Sequence, residues 1–229
     1  MSCINPKCLI DKMGCTSVEV YTGDMECEGP WRVLHRIGVH GAQGEVYKVC
    51  SPVSCEFAFK HIRNVEDMPI DMLHKEVLHE ARIQKIAASH GIAPPVIEVI
   101  LDENSGAIIM PQLTESMQQR YNKYVYYKDE GKMLNLVQIA YDLLSRLHSI
   151  NITHKDMILD NLMCYSSADG QDRWYIIDYD RSQYIKDDGD KLYDILRLRS
   201  AFSNKTVRSV MPHIIQKINE LLPRPDGKE

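Results

Sequence analysis

Apolar residues first recur in strand-length runs over residues 32–37, 45–49 and 56–62, separated by glycine-rich and Ser-Pro breaks. Runs of this length bounded by turn residues predict an antiparallel meander. Pro69 and Asp71 then open a segment reaching Ser89 in which Met72, Val77, Ile83 and Ile86 return at near-helical spacing, and Gly91 and Pro94-Pro95 close it. Two more strands are predicted over 96–101 and 107–110, joined by the turn Asp102-Glu103-Asn104-Ser105-Gly106. Residues 1–30 carry Asn5-Pro6, Gly14, Gly23 and Gly29-Pro30 and show neither period, so they are expected to form an irregular extension.

After Gln112 the pattern becomes helical. One helix is predicted over 117–127 and a second over 133–150, where Leu136, Ile139, Ala140, Leu143, Leu144 and Leu147 form an apolar stripe. A strand pair over 162–165 and 174–177 flanks the turn Ser166-Ser167-Ala168-Asp169-Gly170, and helices over 191–202 and 207–222 close the chain. Strands followed by helices predict an α+β protein of two lobes, residues 31–112 and 113–229, with a connector near 111–114.

Composition narrows the classes of partner. The 229 residues are 44% hydrophobic and 26% charged, with a net charge of −5, which gives no global attraction to nucleic acid or anionic membrane. Arg197, Arg199 and Arg208 are few and dispersed, as on solvated helix faces, so no nucleic-acid site is expected. No apolar run approaches a membrane span and the N-terminus lacks a secretory signal pattern, so an intracellular, cytoplasmic protein is the expectation. Of seven cysteines, Cys50, Cys55 and Cys164 lie in or beside strands and read as reduced, apolar side chains. Cys3, Cys8, Cys15 and Cys27 crowd the N-terminus without a C-x-x-C pair, so they read as exposed or redox-active thiols and no structural zinc is expected.

The candidate chemistry begins at Ile37-Gly38-Val39-His40-Gly41-Ala42-Gln43-Gly44-Glu45-Val46-Tyr47. Glycines between two strands let backbone amides approach a phosphate chain, although a glycine-rich hairpin needs them equally. Lys60 then ends Phe57-Ala58-Phe59-Lys60 on the next strand, and Glu80 lies mid-way along the next helix. A cation and an anion so placed can pair and hold the lysine where phosphate oxygens arrive.

Here the chain resembles the protein kinase family. The order continues into Leu147-His148-Ser149-Ile150-Asn151-Ile152-Thr153-His154-Lys155-Asp156-Met157-Ile158-Leu159-Asp160-Asn161, which is similar to the catalytic loop H-R-D-x-x-x-x-N with lysine in the arginine slot. Trp174-Tyr175-Ile176-Ile177-Asp178-Tyr179-Asp180 is similar to the D-F-G segment. The resemblance covers residues 32–180 and implies a kinase-like fold binding ATP and Mg2+ between its lobes. It implies that Asp156 orients or deprotonates the acceptor, that Asn161 and Asp178 bind Mg2+, that Lys60 holds the α- and β-phosphates, and that Glu80 positions Lys60. Gly38, Gly41 and Gly44 would cover the phosphates. Met110 would be the gatekeeper, Pro111 and Leu113 would offer hinge backbone to adenine, and Val46, Ala58 and Leu162 would enclose its ring.

The departures are specific. Gly38 stands one residue early for G-x-G-x-x-G, and Val39 takes the first glycine's place. Ile158 stands where serine/threonine kinases usually carry a lysine two residues after the catalytic aspartate, which removes a γ-phosphate contact. Asp180 replaces the glycine of D-F-G, and Gln84 falls at a usually apolar position. Only 51 residues follow Asp178, with no A-P-E signature, and between Asp180 and Asp190 only Ser182 and Tyr184 carry hydroxyls. The run 187–202 is similar to the compact C-lobe of the small kinase-ATPase of the tRNA threonylcarbamoylation complex, and to reduced kinases of large DNA viruses. Asp194 would tie that helix to the catalytic loop. The expected activity is transfer of the γ-phosphate of ATP to a serine or threonine of a protein substrate, with an activating protein partner as an option. A partner-coupled ATPase, a small-molecule kinase and a pseudokinase binding module are the alternatives.

Overall fold

The computed structural model of the chain describes residues 2–7, 17–22, 31–37, 44–64, 68–166 and 172–222. It divides into two units, Met1–Lys85 with Pro94–Gln112, and Ile86–Ala93 with Leu113–Glu229.

The first unit is an antiparallel sheet with one helix. Its strands are β1 (Ser2–Lys7), β2 (Ser17–Thr22), β3 (Trp31–Arg36), β4 (Gly44–Cys50), β5 (Phe57–Arg63), β6 (Glu98–Leu101) and β7 (Ser105–Pro111), and α1 (Ile70–Ser89) falls between β5 and β6 in sequence. The sheet order is β2-β1-β3-β4-β5-β7-β6. The strands from β3 to β7 are the five that the apolar runs predict. β1 and β2 correct the expectation of an irregular extension: they pair with each other, Ser2 opposite Thr22, and β1 joins β3 through Ile4 and Trp31. Ser17-Val18-Glu19-Val20-Tyr21-Thr22 does alternate over six residues, a strand signal that the surrounding glycines and prolines obscure. Cys8, Cys15 and Cys27 lie outside the described residues.

Because side chains alternate along a strand, the sheet has two apolar faces. One gathers Trp31, Val33, Val49, Phe59, Ile100, Ala107 and Ile109. The other sets Ala58, Ile108 and Met110 against Val77 and Ala81 of α1. Gly106 permits that packing, since a Cβ there would stand 2.7 Å from Val77 Cγ2. Cys50 and Cys55 form a disulfide, with sulfurs 2.06 Å apart, which corrects the expectation of reduced thiols. The β4–β5 connection folds back through Ser51 N–H to Ser54 O at 2.7 Å, bringing the two cysteines together. Cys164 is a buried free thiol, as its strand pattern suggests.

The second unit is mostly helical. It contains β8 (Glu115–Ser116), α2 (Met117–Tyr127), α3 (Glu130–Ser149), β9 (Ile152–Thr153), β10 (Leu162–Ser166), β11 (Asp172–Ile176), β12 (Gln183–Tyr184), α4 (Asp188–Phe202), α5 (Lys205–Val210) and α6 (Ile214–Leu221). Asp129 caps α3 by accepting from Lys132 N–H at 3.1 Å, and Met133, Leu136, Val137, Ala140, Leu143, Leu144 and Leu147 bury one face. Tyr121 of α2 donates to Phe202 O at the end of α4 (2.9 Å), and the two rings meet edge to face. The single helix predicted over 207–222 is instead two, α5 and α6. Pro212 lacks an N–H and disfavours helical backbone before it, so the helix cannot run through Met211. No helix among the described residues is long and apolar enough to cross a membrane.

Candidate active site

In the sheet unit, strand register sets the candidate groups in one row. Lys60 of β5 lies opposite Val46 of β4 and Ile108 of β7, and Ala58 lies opposite Met110. Two-residue periodicity therefore puts Ala58 and Lys60 on the face that α1 covers. From α1, Glu80 Oε1 meets Lys60 Nζ at 2.5 Å, with Glu80 only 3% and Lys60 18% exposed. One helical turn later, Gln84 Nε2 donates to Pro94 O at 3.0 Å and lies 3.7 Å from Met110 Sδ. The unusual amide at position 84 thus ties α1 to the chain before β6 and fixes the buried Met110. Pro111 ends β7 opposite Phe57. Gly44 begins β4, where a Cβ would stand 2.6 Å from His61 O. Close strand pairing alone therefore requires that glycine. Gly38 and Gly41 lie outside the described residues.

In the helical unit the connection from β9 to β10 is irregular over residues 154–158 before a single 3-10 turn at Leu159–Asn161, and a buried carboxylate organises it. Asp194 of α4 is fully buried. It accepts from Thr153 Oγ1 (2.6 Å), His154 N–H (2.8 Å) and Lys155 N–H (2.8 Å). His148 Nε2 lies 3.0 Å from the same carboxylate and must carry its proton to donate there. Burial pushes the Asp194 carboxyl up, but the bonds from His148, Thr153 and the two amides outweigh it and hold it below the usual carboxylate range. Lys155 takes a left-handed backbone (φ 67°), and its ammonium pairs with Asp190 and lies over the Tyr193 ring. The Lys155 ammonium holds the Asp190 carboxyl down, helped by Lys186 N–H.

Asp156 forms the tip of this loop. Ile158 N–H donates to Asp156 O at 2.9 Å, closing a tight turn, and Asn161 Nδ2 donates to the same carbonyl at 3.0 Å. Asp156 Oδ2 lies 3.5 Å from Asn161 Nδ2, while Asp156 Oδ1 accepts from Arg197 Nη2 of α4 at 2.8 Å. Ile177 N–H donates to Asn161 O at 2.9 Å, which holds the backbone just before Asp178 beside the loop. Asn161 turns its amide nitrogen to Asp156 O, which leaves its side-chain oxygen as the other polar end. That oxygen and the Asp178 carboxylate are hard donors of the kind Mg2+ takes, so the residues fit that ion.

The segment after Asp178 is compact. Asp178 itself is left-handed (φ 67°), whereas Asp180 is not, so the position where the motif expects glycine makes no demand for one. Tyr179 is fully buried, stacks edge to face on His154 at 5.2 Å, and has its phenol pushed up by burial. His154 Nε2 donates to Ile177 O at 2.9 Å. β12 pairs with β9 directly afterwards. Leu162 is buried at the start of β10, and Leu113 precedes Thr114, whose N–H donates to Cys164 O at 2.8 Å.

Sequence reading overlooked the contact between Arg197 and Asp156. Its signal was available only in combination, as an apolar Ile158 in a cation's place and an arginine three residues after the loop-binding Asp194. Among curated proteins no sequence matches the chain. The family described as the protein kinase domain matches residues 31–196. That span starts at β3, takes in Lys60 with Glu80 and the loop from Asp156 to Asn161, and ends within α4 beyond Asp194, so the chain belongs to the protein kinase family and is a phosphotransferase.

Proposed function

We propose that this kinase uses ATP and Mg2+ to phosphorylate a serine or threonine hydroxyl of a protein. The observation that carries the reading is the formed Lys60–Glu80 pair, a nearly buried charge pair of the kind that phosphoryl transfer uses to hold a lysine against phosphate oxygens. Lys60 holds the α- and β-phosphates, and Val46, Ala58, Met110, Pro111, Leu113 and Leu162 receive adenine. Asn161 and Asp178 would hold Mg2+, which would neutralise charge on the phosphate oxygens. Asp156 orients the acceptor hydroxyl and takes its proton as the new O–P bond forms. The bond from the γ-phosphorus to the bridging oxygen breaks, and its electron pair leaves with ADP.

A second reading, a partner-coupled ATPase or small-molecule kinase, is favoured by the short path after Tyr179. Only Ser182 and Tyr184 offer hydroxyls there, and Ser182 is buried with its Oγ donating to His154 O at 3.4 Å. Either way, activity should not need phosphorylation of this segment. The deciding experiment incubates the protein with γ-labelled ATP, Mg2+ and either casein or water alone. Label on casein serine or threonine supports the first reading, and free phosphate alone supports the ATPase form of the second. In both, Asp156→Asn should lower turnover by about 10²-fold or more with ATP affinity nearly unchanged, whereas Asp178→Asn should weaken both. Full turnover by Asp156→Asn would falsify the mechanism.

A further inference from the structure

We infer that Arg197 is the positioning cation of the catalytic loop, standing in for the lysine that the loop lacks at Ile158. This rests on reading Asp156 as the group that orients the acceptor. Ile158 has no side-chain donor, and its backbone N–H is already used in the turn at Asp156 O. The cation instead comes from α4. Arg197 Nη2 donates to Asp156 Oδ1 at 2.8 Å, within the range of a charge-assisted bond. Asn161 approaches the other oxygen, Oδ2, so the carboxylate is flanked by one donor on each side.

The geometry behind this contact is fixed by helix periodicity. Residues three apart are neighbours on a helix surface, so Asp194 and Arg197 project from one side of α4. Asp194 grips the loop at Thr153, His154 and Lys155, and Arg197 reaches its next residue, Asp156. One helix therefore sets both the path of the loop and the orientation of its aspartate. Arg197 is the first residue beyond the family match, which ends at residue 196. Its side chain is 43% exposed and that of Asp156 20%, unlike the buried Asp194, so removing it leaves a carboxylate that still reaches water. A guanidinium has five donors in a rigid fork, which also suits it to phosphate oxygens arriving beside Asp156.

The test measures kcat and KM for ATP with casein or water as acceptor, and melting temperature, for five proteins: wild type, Arg197→Ala, Arg197→Lys, Arg197→Ala with Ile158→Lys, and Asp156→Asn. Arg197→Ala should lower kcat about tenfold or more, the scale of a displaced catalytic group, with KM for ATP within about twofold. Arg197→Lys should recover part of the loss, and so should the Ile158→Lys change in the Arg197→Ala background. Wild-type kcat in Arg197→Ala, alongside an inactive Asp156→Asn, overturns the inference and leaves the functional reading standing. A loss that neither lysine recovers, accompanied by a lower melting temperature, also overturns it, because the role is then structural. Wild-type turnover in Asp156→Asn, or no ATP turnover by the wild type, removes the functional reading and this inference together.

Discussion

The two units hold their charged groups by different means. In the sheet unit, Lys60 is placed by strand register between Val46 and Ile108, and Glu80 by its turn of α1. Regular backbone supplies the coordinates there. In the helical unit, residues 154–158 have no repeating backbone, and Asp194 supplies the coordinates instead, receiving two backbone amides and two side chains. A loop buried at its base needs partners for its orphan N–H groups, and a carboxylate with two oxygens can satisfy several at once. The same requirement for fixed geometry thus falls on register and close packing in one region, and on a single buried side chain in the other.

That contrast is broken most directly at Asp194. Asp194→Asn keeps the shape but removes the charge and turns an N–H2 toward donors, so it should destabilise the fold by about 3 kcal/mol at neutral pH, measured as a lower urea midpoint. The native carboxyl is held below its ordinary value, so its contribution is fully present above the unfolded value of about 3.9 and is lost as pH falls through the folded value. The gap between wild type and Asp194→Asn should therefore be constant from pH 7 to about 5 and close as pH falls below about 4. A gap independent of pH down to 3 would show that Asp194 does not act as a charged anchor.

In the sheet, the sensitive position should be one of backbone approach. Gly44→Ala puts a methyl group 2.6 Å from His61 O, a backbone atom that cannot swing away. It should cost about 1–3 kcal/mol, the range for overpacking, again read from the urea midpoint. An unchanged midpoint would mean that β4 and β5 can separate locally without loss, and that register does not fix the sheet at this point.

The smallest effect belongs to the pair itself. Glu80→Gln retains a side-chain oxygen to accept from Lys60, whose side chain is 18% exposed, so stability should change by less than at Asp194, by about 1 kcal/mol. If Glu80→Gln proves as damaging as Asp194→Asn, the distinction between a register-placed pair and a loop-organising carboxylate collapses.

The sequence alone determined the order of elements and the chemistry of the candidate groups. Strand-length apolar runs between turn residues gave the five central strands, and the stripe from Leu136 to Leu147 gave α3, because these patterns report residues close together in sequence. Pro212 carried its own warning of a helix break, and the alternation of residues 17–22 marked a strand, so those two signals were present and local. The Cys50–Cys55 bond was not legible in that way, since it depends on how the connection from Ser51 folds back. Only the tertiary structure decided that Asp194 would gather donors from Thr153, His154 and Lys155, and that Arg197 would reach Asp156 across 41 residues of sequence. Periodicity says which face of α4 a residue occupies. What that face meets depends on the path of the chain between, and that path is fixed by burial of the whole core.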